Sequence, residues 1–352
     1  MQALLEQGER VVRIGEDVGF AGQVIRRLGK ARQHVLEQQL EPLLRQRQAG
    51  REGDDLVFHL RIETAEGPPG GLGNRAAAGW RCPCHLDHHA NARMIATAAD
   101  GTRLHYIVEG GGPPLVLVGG KTSSIEGAWW RHIPALAQRL KVIALDNRGA
   151  GASDKPDKPY TTQLMAEDAL AVLRDAGETS AHWFGLSMGG MILQQLALDH
   201  PDAVRSLILG ATHCGGERPP TTGTDPPAVE GPLRRFANLY DARFIADHPE
   251  WVEEDAKRFG KMPLHAIVRQ DQAVKHHNLC DRLNEIRQPV LILHGRQDRM
   301  VPLARAEELR RGLPNARLHI LDPAGHQVHS EQFPTVLRLV QDFVEEVERQ
   351  RA

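Results

Sequence analysis

From Met94 onward, apolar runs of strand length alternate with amphipathic stretches of helix length, and this alternation limits the fold more than any other feature of the chain. The strand-length runs are 104–108, 114–118, 141–145, 181–185, 204–209, 289–293 and 317–321. Helices are expected over 162–175, 188–199, 303–312 and 333–348. A run such as Leu115 to Val118 is apolar at every position rather than at alternate ones, so both faces of its strand must be covered. Such strands separated by helices predict an α/β fold with a mostly parallel central sheet and helices on both faces. The rhythm lapses between Cys214 and Ile286, where a Pro-rich stretch from Glu217 to Pro227 leads into polar helical segments. The expected organisation is therefore a core of 94–213 and 287–352 interrupted by a helical cap insertion, 214–286.

Residues 1–93 do not share this pattern. They are rich in Gln, Arg and Glu, with partial apolar spacing for one helix over 25–44. Gly and Pro punctuate 65–81 too densely for any element to persist. The stretch reads as an N-terminal extension, largely disordered or loosely helical, and dispensable for chemistry. Cys82, Cys84, His85, His88 and His89 carry metal-type donors, but they lack the second spaced pair that structural zinc sites use, so no metal and no cofactor is expected. The 43 Lys and Arg against 45 Asp and Glu leave a net charge of −2, which gives no electrostatic footprint for nucleic acid. No apolar run approaches the roughly 18 residues of a spanning helix, and the N-terminus lacks the basic and apolar regions of a secretory signal. Four cysteines in 352 residues make no disulfide framework, so a soluble cytoplasmic protein is expected. The oligomeric state is not legible.

Chemistry concentrates at Gly185-Leu-Ser187-Met-Gly189, which follows a strand and opens a helix. In a G-x-S-x-G elbow a sharp turn holds the serine hydroxyl clear of the backbone, and side chains at the glycines would collide with the neighbouring strand and helix. Without partners, the same residues would be only a Gly-rich strand-to-helix turn. A serine nucleophile needs a base and an orienting acid, which in this architecture follow in the order acid, then histidine. Asp298 lies just after the strand at 289–293, and His326 just after the strand at 317–321, so both fall on the sheet edge that carries Ser187. Ser187 attacks, His326 moves the proton, and Asp298 fixes the imidazole tautomer. Asp322 is a competing acid, and His294 and His329 are competing bases. The expected oxyanion donors are the N–H groups of Met188, after the nucleophile, and Lys121, after the strand at 114–118. Gly120-Lys121-Thr122 also resembles the end of a phosphate-binding loop, but that motif needs a glycine where Leu115 stands. Trp129 and Trp130 either line the oxyanion side or fill the core. Phe236, Tyr240, Phe244 and Trp251 either face the cleft or form the insertion's own core.

Together Gly119-Gly120, Asp146-Asn-Arg-Gly-Ala-Gly-Ala-Ser-Asp154, Gly185 to Gly190, His294-Gly-Arg-Gln-Asp298 and Ala324-Gly-His326 resemble an α/β-hydrolase of the serine-nucleophile kind, in order over 94–350. Within it, the chain is similar to small carboxylesterases and enol-lactonases of the 3-oxoadipate type. That resemblance implies an acyl-enzyme mechanism on a small-molecule ester, lactone or thioester, with no membrane partner. Position 187 is Ser rather than the carboxylate of haloalkane dehalogenases and most epoxide hydrolases. Carbon–carbon bond hydrolases and cofactor-free haloperoxidases share the serine triad, and a non-catalytic binding protein of this fold is the rival of another class. One departure is Gly119-Gly120 followed by Lys121, where the family usually has His-Gly or a similar pair and then a small or apolar residue.

Overall fold

The computed structural model describes residues 94–216 and 231–351. The helix expected at 25–44, the Cys82 to His89 donor cluster and the Glu217 to Pro227 stretch lie outside the described residues. Eight strands form one sheet: β1 (Met94–Thr97), β2 (Arg103–Glu109), β3 (Pro114–Val118), β4 (Lys141–Leu145), β5 (Ala181–Leu186), β6 (Val204–Gly210), β7 (Val290–Gly295) and β8 (Ala316–Leu321). Their spatial order is β1-β2-β4-β3-β5-β6-β7-β8. β1 and β2 are antiparallel additions at one edge, and every pairing from β4 to β8 is parallel.

Parallel neighbours require crossovers, and helices supply them. β3 connects to β4 through α1 (Ile125–Trp129) and α2 (His132–Leu136), and β4 to β5 through α3 (Thr162–Asp175). β5 leads to β6 through α4 (Met188–Asp199). The unbroken apolar runs follow from the two layers they touch. Val116 and Val118 of β3 join a core with α3 and α4, whereas Leu115 and Leu117 join a second core with α1 and α2 on the opposite face. The α3 and α4 limits coincide with the sequence expectation: α3 alternates a buried face with a wet one, whereas α4 is buried along most of its length behind the elbow. β1, α1 and α2 were not foreseen. At four or five residues they are too short to show a period.

Between β6 and β7 the chain leaves the sheet and forms α5 (Ala242–Asp247), α6 (Pro249–Arg258) and α7 (Leu264–His276), with 3₁₀ turns at Gly231–Phe236 and Cys280–Glu285. Phe236, Tyr240, Ile245 and Val252 bury one another, with Phe244 packed against them. These aromatics therefore make the insertion's own small core. After β7 come α8 (Leu303–Gly312), β8, α9 (Val328–Glu331) and α10 (Phe333–Arg351).

One expectation is corrected here. Cys214 and Cys280 form a disulfide, with Cα atoms 4.9 Å apart across a sequence separation of 66. They sit where the insertion leaves and rejoins the core. Leu279 N–H donates to the Cys214 carbonyl at 2.7 Å, and Gly215 pairs with Asn278 as an isolated bridge. The pairing was hidden in sequence because a long excursion returns to its starting point. Among the described residues no helix is long and apolar enough to cross a membrane.

Candidate active site

β5 is wholly buried between β3 and β6, and a single residue, Ser187, separates its end from the first residue of α4. Ser187 adopts φ 51°, ψ −115°, a positive φ that a non-glycine residue holds only when its surroundings enforce it, at a cost of about 1–3 kcal/mol. The enforcement comes from β6 and its exit. Ser187 N–H donates to Gly210 O at 2.8 Å, and Thr212 Oγ1 donates to Ser187 O at 2.7 Å. The flanking glycines meet the expected crowding. A Cβ at Gly185 would lie 2.5 Å from the Gly189 carbonyl carbon, and one at Gly189 would overlap the Val118 carbonyl oxygen.

Asp298 and His326 come from the turns after β7 and β8. His326 Nδ1–H donates to Asp298 Oδ2 at 2.9 Å. The other carboxylate oxygen accepts the N–H groups of Met300 and Val301 at 2.9 and 2.8 Å, so a buried Asp298 is held in one orientation. The competing residues are committed elsewhere. Asp322 is paired with Arg296 at 2.7 Å and with Gln297 at 2.9 Å. His294 is fully buried, donates Nε2–H to Val301 O at 2.8 Å and lies 3.6 Å from Asp298 Oδ2; burial lowers its pKa. His329 donates to Ala128 O and stacks on His132 with ring centroids 5.2 Å apart, and burial holds it down to about 4. Among the described residues no hydrogen bond joins Ser187 Oγ to His326. Such contacts are often loose before substrate binds.

The turn after β3 abuts the elbow: a Cβ at Gly120 would lie 3.4 Å from Ser187 Cβ. Met188 is the first residue of α4, so its N–H has no partner within the helix and sits at the positive end of the helix dipole. Lys121 follows Gly120, and its ammonium reaches Asp271 of α7 at 3.0 Å. The nucleus of a buried hub lies nearby: Asp255 of α6 accepts from Trp130 Nε1 and Tyr240 OH, both at 3.0 Å, and from Ser330 Oγ at 2.5 Å. Trp129 is pure core, packed on Phe184, whereas Trp130 takes part in this hub.

Several positioning residues carried no signal in sequence. Glu331 accepts from Gly325 N–H at 2.9 Å and from Asp241 N–H at 2.7 Å, tying the His326 turn to the insertion. Burial pushes its carboxyl up to about 8 against the pull of those two donors. Gln327 N–H donates to Leu239 O at 2.9 Å on the other side of His326. Gln270 and Asp271 of α7 grip the turn that bears Lys121. No periodicity or motif marks these residues.

A model of the alpha/beta hydrolase fold family matches residues 113–333. A 2-hydroxymuconate semialdehyde hydrolase of Pseudomonas putida is 30% identical over 275 residues, which is 73% of this chain and 95% of that protein. A putative carbamate hydrolase of Azorhizobium caulinodans is 31% identical over 63% of this chain and 88% of its own length. Among solved structures, an N-acyl homoserine lactone degrading enzyme is 28% identical with a TM-score of 0.63, covering 71% of this chain and all of its own. The enol-lactonase of Burkholderia xenovorans, at 24% identity and a TM-score of 0.64 over 72% of this chain and all of its own, shares the fold.

Proposed function

The chain belongs to the alpha/beta hydrolase fold family, and on that premise we propose that it is a serine hydrolase acting on a carboxylic ester, lactone or thioester through an acyl-enzyme. The observation that carries the proposal is the Asp298–His326 pair, 2.9 Å apart, on the sheet edge where the strained Ser187 turn ends β5. His326 Nε2 takes the Ser187 proton as Oγ bonds to the substrate carbonyl carbon, and the Asp298 carboxylate stabilises the imidazolium that results. The Met188 and Lys121 N–H groups receive the oxyanion, and losing one such donor costs about 10²–10³ in kcat. The intermediate collapses as His326 protonates the departing alkoxide or thiolate. Water, activated by the same histidine, then frees the acid. The insertion acts as a cap over this edge, and the catalytic unit is 94–352.

Purified protein should turn over p-nitrophenyl acetate and butyrate, and a fluorophosphonate should add to Ser187. Ser187→Ala should fold and lose on the order of 10⁴-fold or more in kcat, because the triad works as a unit. Near wild-type turnover in that variant would end the proposal, and no turnover with no adduct would favour the binding-protein alternative. A second reading, carbon–carbon bond hydrolysis, is favoured by the 2-hydroxymuconate semialdehyde hydrolase relative. It predicts weak ester turnover beside efficient cleavage of a dienoate ketone by the same Ser187. A cytoplasmic location would place Cys214 and Cys280 where thiols are kept reduced. Thiol trapping in cells tells that location from an oxidising one.

A further inference from the structure

Thr122 follows the Lys121 oxyanion donor and has φ 64°, a left-handed backbone that a β-branched residue avoids. It keeps that conformation because both polar groups of the Lys121–Thr122 peptide are held. The Lys121 carbonyl accepts from Thr122 Oγ1 at 2.6 Å. The Thr122 N–H donates to Gln270 Oε1 at 2.8 Å. The first contact is local and travels with the residue. The second comes from α7 of the insertion and is the external restraint. Gln270 is fully buried, and its amide nitrogen donates to the Arg148 carbonyl at 3.0 Å in the loop after β4. One amide thus bridges the oxyanion turn to a loop built into the core, so its orientation is set at both ends.

We propose that Gln270 is a positioning residue for the oxyanion hole: it pins the Lys121–Thr122 peptide from the insertion and so aims the Lys121 N–H at the atom bonded to Ser187. This rests on the serine-hydrolase reading above. A peptide is planar, so fixing its N–H and C=O fixes ψ of Lys121 and φ of Thr122 together. Strained backbone persists only where contacts over-determine it. Released from Gln270, Thr122 relaxes toward negative φ, and the rotation is passed back through Lys121 to its N–H. Gly120, just before Lys121, lies against the elbow, and its carbonyl accepts from Ser123 N–H at 3.3 Å, so the turn on that side is also tied. A donor turned away from the oxyanion weakens the transition state and leaves the bound ester almost untouched.

The test is steady-state kinetics on p-nitrophenyl butyrate with Gln270→Met and Gln270→Glu, alongside a trifluoromethyl ketone inhibitor whose oxyanion occupies the hole. Gln270→Met keeps the volume and removes both hydrogen bonds. It should lose about 10–100-fold in kcat, less than the roughly 10²–10³ for deleting a donor, because the N–H is turned away rather than removed. KM should stay within about twofold, and inhibitor affinity should fall by the same factor as kcat/KM. Gln270→Glu still accepts from Thr122 N–H but cannot donate to Arg148 O, and it should recover most of the lost kcat. Were Gln270 only glue between insertion and core, Glu would be at least as damaging as Met, since it buries a charge. Val268→Ala, exposed on the same helix, should leave kcat within about twofold. Amide exchange at Thr122 should speed up at least tenfold in Gln270→Met, which reads the restraint without turnover. Wild-type kcat and inhibitor affinity in Gln270→Met, with Ser187 still labelled by fluorophosphonate, would overturn this role alone. An unlabelled Ser187 in the wild-type protein would overturn the hydrolase reading and this role with it.

Discussion

Severing the Cys214–Cys280 link should cost the protein stability while leaving its turnover intact. The bridge encloses nearly the whole insertion, since 66 positions separate the two cysteines. In the chain-entropy treatment a closed loop of that length removes about 15 cal/mol/K from the unfolded ensemble, or about 4 kcal/mol at 25 °C. Residual structure in the unfolded chain trims this, so about 2–4 kcal/mol is expected. The folded state loses little, because the Leu279 to Cys214 hydrogen bond and the Gly215–Asn278 bridge hold the two feet of the insertion together without sulfur. Urea unfolding of the oxidised wild type, the dithiothreitol-reduced wild type and Cys214→Ser/Cys280→Ser is the assay. The midpoint should fall by the same amount on reduction and in the double variant, and m should rise as the unfolded chain opens. Dithiothreitol should do nothing further to the double variant, which excludes effects through Cys82 and Cys84. Values of kcat and KM measured well below the transition should stay within about twofold. An unchanged midpoint would show that the bond does not form or does not constrain the unfolded chain. A collapse of kcat at unchanged stability would show that the sulfur link shapes the folded site.

Two further outcomes test the core beneath the site. Arg148 is almost completely buried against Asp168, with Nη2 to Oδ1 at 2.6 Å, so Arg148→Met strands a carboxylate and should cost about 3–5 kcal/mol in urea unfolding. Adding Asp168→Leu should restore much of that loss, and a single-variant cost below about 1 kcal/mol would contradict the pairing. Burial holds His329 down to about 4 and His132 well below its ordinary value of 6.5. The unfolded chain then binds more protons between those values, so stability is intact above 6.5 and falls as pH drops from 6.5 toward 4. Melting temperatures across that window should show the decline, and His132→Phe/His329→Phe should flatten it; an unflattened slope would assign the acid sensitivity to other groups.

What could be read from residues alone is what short-range pattern encodes. The run from Leu115 to Val118 betrays a strand buried on both faces, because each apolar residue has a layer to enter. The elbow at Ser187 and the positions of Asp298 and His326 at strand ends are legible for the same reason, since a parallel sheet delivers every strand's end to one edge. Residues alone left Asp322, His294 and His329 as competitors. In the structure His326 and Asp298 meet at 2.9 Å, while Asp322 is bonded to Arg296, His294 to Val301 O and His329 to Ala128 O. The disulfide, the grip of Glu331 on the His326 turn and the Gln270 bridge to Thr122 needed the tertiary structure altogether. Gln270 and Thr122 are 148 positions apart, and Cys214 and Cys280 are 66. A hydrogen bond or sulfur bridge over such distances leaves no period in the chain, because what brings the partners together is the packing of every layer between them.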